Sequence, residues 1–267
     1  MPSKTHLLFT ACLVIAGCNL PAMFEPPAEQ SAQRMQLFMV LDPAQSTQVL
    51  LVEPVDAEEP LGDVPASLYR LEAGDTVLVA HAGTSASLAP CTDRYGRLGG
   101  WDFACAVFDA SIQPEAQYLV RVTSAGRPTA TATAVVPGDF EIVYAEASGR
   151  PPGTGGLTVE WSQSAHARGY FVSVRPSTEP DCARTATCPD GWFVSTVGNE
   201  VETTIPEDLL PKHLGRWILE VHALDAVLLE HLTTGSGGSL FPVPPVQNVD
   251  GGYGAVGAWA SRSQILP

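Results

Sequence analysis

From Leu37 to Ser261 the chain is cut again and again into short runs in which apolar and polar residues alternate, each bounded by glycine, proline or Asn/Asp turns. An alternation of period two matches a pleated strand, whose side chains leave on opposite faces, and it is incompatible with a helix, whose apolar face repeats every three to four residues. In the first half the runs are Leu37–Leu41, Gln48–Glu53, Ala66–Leu71, Thr76–Ala80, Phe103–Phe108, Tyr118–Thr123 and Thr129–Val136. After Pro137-Gly138 a second series follows: Glu141–Ala147, Leu157–Ser162, Tyr170–Arg175, Trp192–Val197, Glu202–Ile205, Trp217–Leu224 and Tyr253–Ser261. The 24 glycines and 23 prolines among 267 residues supply the punctuation and leave little room for long helices. Glu207–Leu210 alone reads as a helical turn. Two series of strands in a chain of this length predict an all-β protein of two tandem sandwiches. Their expected bounds are 35–138 and 139–267, the second ending in a glycine-rich strand.

The N-terminus sets an address. Lys4 precedes the apolar run Leu7–Ala16. At about ten residues it is too short for a hydrocarbon core about 30 Å thick but suits a signal peptide. The run ends in Val14-Ile15-Ala16-Gly17-Cys18, which resembles the bacterial lipobox. Residues 1–17 are then a lipoprotein signal peptide, and Cys18 carries the lipid. At roughly 0.8 kcal/mol per buried CH₂, two or three acyl chains hold a protein to a membrane while one does so only marginally. Asn19 stands where, by resemblance to known sorting rules, an aspartate would retain a lipoprotein at the inner membrane. The expected location is therefore the outer membrane, facing the periplasm or the cell surface. Residues 18–34 lack periodicity and read as an extended tether.

Of six cysteines, Cys12 lies in the signal and Cys18 is the lipid site, which leaves Cys91, Cys105, Cys182 and Cys188. In an oxidising compartment these form disulfides, and proximity favours Cys91–Cys105 and Cys182–Cys188 among the three connectivities. Neither spacing is that of a Cys-x-x-Cys redox or zinc motif, and no histidine stands at zinc-ligand spacing.

Leu157-Thr-Val-Glu-Trp161, Gly169-Tyr-Phe-Val-Ser-Val174, Thr204-Ile205 and Trp217–Asp225 together resemble a fibronectin type III domain. The resemblance implies that Trp161 on strand B, Tyr170 on strand C and the aliphatic strand F fill the space between two sheets. Trp217 replaces the strand-F tyrosine of that fold, which puts its corner hydrogen bond in doubt. Three further stretches are Asp63-Val-Pro-Ala-Ser-Leu68 with Gly74-Asp75, Pro114–Pro137, and Gly251-Gly-Tyr-Gly-Ala-Val-Gly-Ala258. In this order, behind the lipobox, they resemble a domain family of unknown function in bacterial outer-membrane lipoproteins, often encoded beside TonB-dependent receptors. That resemblance implies an accessory or binding role near nutrient uptake and supplies no catalytic residues.

Sites for chemistry are sparse. Gly252-Tyr-Gly254-Ala-Val-Gly257 matches the dinucleotide fingerprint, yet no room remains after it for the βαβ unit that gives the fingerprint its function. Its glycines are expected to bend or bulge a late edge strand. His81, His166, His213, His222 and His231 are dispersed, and neither a zinc-protease motif nor a serine-nucleophile signature is present. Asp56-Ala-Glu58-Glu59, and the group Asp139, Glu141 and Glu146, read as solvated turns more readily than calcium ligands. The expectation is no catalytic residue, metal or cofactor. Trp192 and Tyr253 are candidate partner contacts, because aromatics give large contact area at low entropic cost. A formal charge of −15 disfavours nucleic acid, whose binding requires clustered cations. The chain thus reads as a non-catalytic envelope lipoprotein acting by contact. An envelope hydrolase with a site between the domains, or a self-associating surface or adhesin subunit, is the alternative.

Overall fold

The computed structural model describes residues 34–54, 64–85, 91, 104–147, 156–176, 194–207, 210, 217–234 and 247–266. The first half contributes β1 (Met35–Leu41), β2 (Thr47–Pro54), β3 (Ala66–Glu72), β4 (Asp75–Ala82), β5 (Thr84–Ser85), β6 (Ala104–Asp109), β7 (Gln117–Val122) and β8 (Ala130–Val135). The second contributes β9 (Ile142–Ala147), β10 (Gly156–Trp161), β11 (Gly169–Pro176), β12 (Val194–Gly198), β13 (Glu202–Pro206) and β14 (Trp217–Leu224). A helix, α1 (Ala226–Thr234), then precedes β15 (Val249–Asp250) and β16 (Tyr253–Leu266). The protein is all-β, built as immunoglobulin- and fibronectin-like sandwiches.

Three sheets carry these strands. One has eight, in the order β12-β11-β14-β16-β1-β2-β6-β5; one has three, β13-β10-β9; one has five, β15-β8-β7-β3-β4. The alternation in sequence becomes alternation in burial. Along β7, Tyr118, Val120 and Val122 are buried while Gln117 and Arg121 are exposed, and along β8 Ala130, Ala132 and Ala134 face inward. These residues close one core with Leu37, Leu50, Leu68 and Phe108. A second core holds Leu157, Val159, Trp161, Tyr170, Val172, Leu219 and Val221. The second sandwich sets β13-β10-β9 against β12-β11-β14-β16, which is the fibronectin type III strand order.

The glycine-rich C-terminal strand differs from expectation. It is neither an edge nor confined to the second sandwich. Its first half pairs in parallel with β1, from Gln36↔Tyr253 to Leu41↔Ala258. Its second half pairs antiparallel with β14, from Leu224↔Trp259 to Trp217↔Leu266. Val256 and Ala258 accordingly belong to the first core, Ala260 and Leu266 to the second. Val249 of β15 also packs in the first core, where its strand pairs with β8. The physical reason is Gly254, held at φ +103, where a Cβ would stand 2.0 Å from the Leu37 carbonyl oxygen. Only glycine lets the two backbones lie this close.

The helix is the second departure. Asp225 accepts the Leu228 N–H through Oδ1 at 2.8 Å and so caps the start of the helix. Through Leu228 the helix covers a third cluster on the outer face of the large sheet, made of Phe38, Val40, Val49, Leu51, Leu224 and Ala255. Cys91 and Cys105, joined in a disulfide with Cα atoms 6.0 Å apart, are fully buried in the same cluster. Of the expected turn at Glu207–Leu210, the described part is a hydrogen bond from the Leu210 N–H to the Glu207 carbonyl, 3.1 Å.

In the second sandwich the tyrosine hydrogen bond to the backbone is made from β11 and not from β14. Tyr170 on β11 accepts the Ser164 N–H at 2.9 Å, and Tyr118 on β7 accepts the Gln113 N–H at 2.8 Å. Trp217 is half-buried, and its indole N–H is buried without an acceptor.

Candidate functional site

The seam between the sandwiches gathers the polar groups that the strands alone would scatter. It lies where β16 changes partners. There Asp225 accepts the Ala258 N–H through Oδ2 at 3.0 Å, and its own N–H donates to the Ala258 carbonyl at 3.0 Å. One side chain thus ties the first turn of α1 to the strand shared by both sandwiches. Asp225 is 5% exposed. Burial pushes its carboxyl up to about 7 from the ordinary 3.8, against the Leu228, Ala258 and Val227 N–H groups, which favour the ionised form.

Beside Asp225 a cleft of about 220 Å³ opens between the halves. Thr133, Ala134 and Val135 of β8 form one wall, and His166, Arg168, Ala226 and Val227 the other. His166 sits in a tight turn at φ 62, and the Arg168 N–H donates to the Leu224 carbonyl at 2.8 Å. The seam is closed further along by Ser164 Oγ donating to the Gly138 carbonyl at 2.6 Å and Gly138 N–H donating to the Ala165 carbonyl at 2.7 Å. Chemically, the cleft brings one imidazole and one guanidinium beside an acid that is already committed. Both Asp225 oxygens accept backbone N–H groups, so the residue acts as a clamp.

The other histidines stand apart. His81 Nδ1 is hydrogen-bonded with Ser67 Oγ at 2.8 Å and lies 3.1 Å from the Ala66 carbonyl. His222 lies between the Trp259 and Phe171 rings, at 4.6 and 5.7 Å. His231, in the last turn of α1, is 6% exposed and 5.4 Å from the Phe38 ring; burial lowers its pKa.

The acids near Gly138 also separate. Asp139 pairs with Arg262 at 3.0 Å, while Glu146 accepts the Tyr144 hydroxyl. Among the described residues no three or more His, Cys, Asp or Glu side chains converge on a point where a metal would sit.

Tyr253 is not available as a partner contact. It is 9% exposed, because β16 runs inside the large sheet, and the Arg34 guanidinium lies 5.3 Å from its ring centre. Trp192, Cys18, Cys182, Cys188, His213 and the Asp56–Glu59 cluster lie outside the described residues. Sequence reasoning missed Asp225, although an aspartate immediately before an apolar run is a helix-start signal.

No protein-family model matches the chain, and no curated protein matches it. Among solved structures, the FN1–FN3 domains of chicken CNTN1 align with 87% of this chain at 11% identity and a TM-score of 0.25. The alignment spans 64% of that structure's chain.

Proposed function

We propose that the protein is a non-catalytic, lipid-anchored accessory module of the bacterial outer membrane, acting by contact with an envelope partner such as a TonB-dependent receptor. The observation that carries this reading is the course of β16. A chain anchored at Cys18 passes through its tether into β1, and β1 runs parallel with the first half of β16. The second half of β16 continues into the second sandwich. The two modules are then stacked outward from the anchor, with the second one farther from the membrane.

Loops, more than strand edges, suit such a role. The pairing of β9 with β10 shifts register at Glu160/Trp161, and that of β4 with β3 shifts at Leu68/Tyr69. Bulges of this kind blunt an edge against strand addition. The commitment of both Asp225 oxygens to backbone N–H groups supports contact over hydrolysis at the seam.

Two experiments test the reading. Cys18→Ser is expected to move the protein from the membrane to the soluble fraction, and retention in the membrane contradicts the anchor. The lipidated protein, used as bait in detergent-solubilised envelopes, is expected to recover a TonB-dependent receptor. Recovery of no envelope protein in repeated trials counts against the partner.

A further inference from the structure

The described arginines are engaged, with one exception. Arg70, Arg175 and Arg262 pair with Glu72, Glu220 and Asp139. Arg34 and Arg121 lie over the Tyr253 and Tyr69 rings, and Arg127 donates to the Arg34 carbonyl. Among the described residues Arg168 alone has a guanidinium with no hydrogen bond, ion pair or ring contact, although acids outnumber lysines and arginines 29 to 14 in the chain. Arg168 lines the cleft of about 220 Å³ between the sandwiches.

Other features of that cleft agree on the sign and size of what would sit there. His166, the second basic residue of the lining, also has no side-chain partner among the described residues. It holds φ 62, a left-handed backbone that glycine adopts freely and a larger residue adopts at a cost. Ala226 and Val227, the first two residues of the nine-residue α1, bring the positive end of the helix dipole to the same wall. Asp225 is the only acid in the lining, and its two oxygens accept the Leu228 and Ala258 N–H groups. Val135 and Val227 make part of the lining aliphatic.

We propose that the seam cleft binds a small organic carboxylate, its head group held by Arg168 and His166 at the start of α1 and its short aliphatic part against Val135 and Val227. A guanidinium offers parallel N–H donors that match the two oxygens of a carboxylate, and an imidazole adds another donor. Junctions between domains are preferred places for ligand pockets, and a volume below the usual range of about 300–1,000 Å³ selects a small molecule. Because β8 supplies one wall and α1 the other, the bound molecule bridges the two sandwiches. The proposal stands apart from the envelope reading and does not depend on lipidation.

The test titrates the ¹⁵N-labelled full chain in chloride buffer and follows the backbone amide signals of Arg168 and Val227. The probes are butyrate, its neutral isostere butanamide, and inorganic phosphate. The expected result is a saturable shift of both signals with butyrate and none with butanamide. Arg168→Gln is expected to weaken butyrate binding about tenfold. His166→Gly is expected to weaken it as well while the urea unfolding midpoint holds, because glycine suits the backbone at that position; this separates contact with the ligand from a structural role. Absence of a saturable butyrate shift, an equal response to butanamide, tighter binding of inorganic phosphate than of butyrate, or unchanged affinity in either variant overturns the proposal.

Discussion

Asp225 is a buried carboxylate held by the N–H groups of a helix and a strand. Its pKa lies near 7 in the folded chain and at the ordinary 3.8 when unfolded. Between those values the folded state holds a proton that the unfolded state has released, so this residue's stabilisation is complete below pH 3.8 and is lost as pH rises toward 7. The difference corresponds to on the order of 4 kcal/mol. Asp225→Asn is expected to remove that downward slope, as read from urea unfolding midpoints between pH 4 and 8. His231 acts in the opposite sense. Its folded pKa is lowered, so stability falls as pH drops below the ordinary 6.5 and the unfolded chain takes up a proton that the folded chain refuses. His231→Leu is expected to flatten the acid side of the same profile. The Cys91–Cys105 bond, with a sequence separation of 14, is expected to contribute about 3 kcal/mol, so Cys91→Ala/Cys105→Ala should unfold at correspondingly lower urea.

At the scale of elements, β16 depends on glycine at one point above all. Gly254→Ala would place a methyl group 2.0 Å from the Leu37 carbonyl at a backbone angle that L-residues avoid. It is expected to cost about 3 kcal/mol or more, measured by urea unfolding. An unchanged midpoint would mean that the parallel pairing with β1 is not formed. The strands themselves were legible in the sequence, because alternation is a local signal: Tyr118, Val120 and Val122 declare one face without reference to any partner. The sheet to which Tyr253–Leu266 belongs was not legible, since pairing joins residues more than two hundred positions apart and leaves no local trace. The helix was hidden for a different reason. The aliphatic run of β14 leads through Asp225 into Val227-Leu-Leu, and only the capping role of Asp225 separates the two elements. The seam shared this fate, because its groups come from β8, the His166 turn and the helix start, each unremarkable alone.

For the whole molecule, two hydrophobic cores share one strand and one clamp. A substitution in either core should therefore weaken both. Leu157→Ala, in the second core at 0% exposure, is expected to cost about 2–5 kcal/mol and to lower the unfolding midpoint reported by Tyr118 in the first core as much as that reported by Trp161. Calorimetry is expected to record one transition; two separated transitions would show that the sandwiches unfold independently.

The same arrangement also dictates an order of events. The segment that zips up against β1 and then against β14 follows both of them in chain order, so neither module can complete its large sheet until that segment has been made. A chain in which Tyr253–Leu266 cannot pair would hold both halves unfinished, so folding of the two modules waits on one late, long-range pairing.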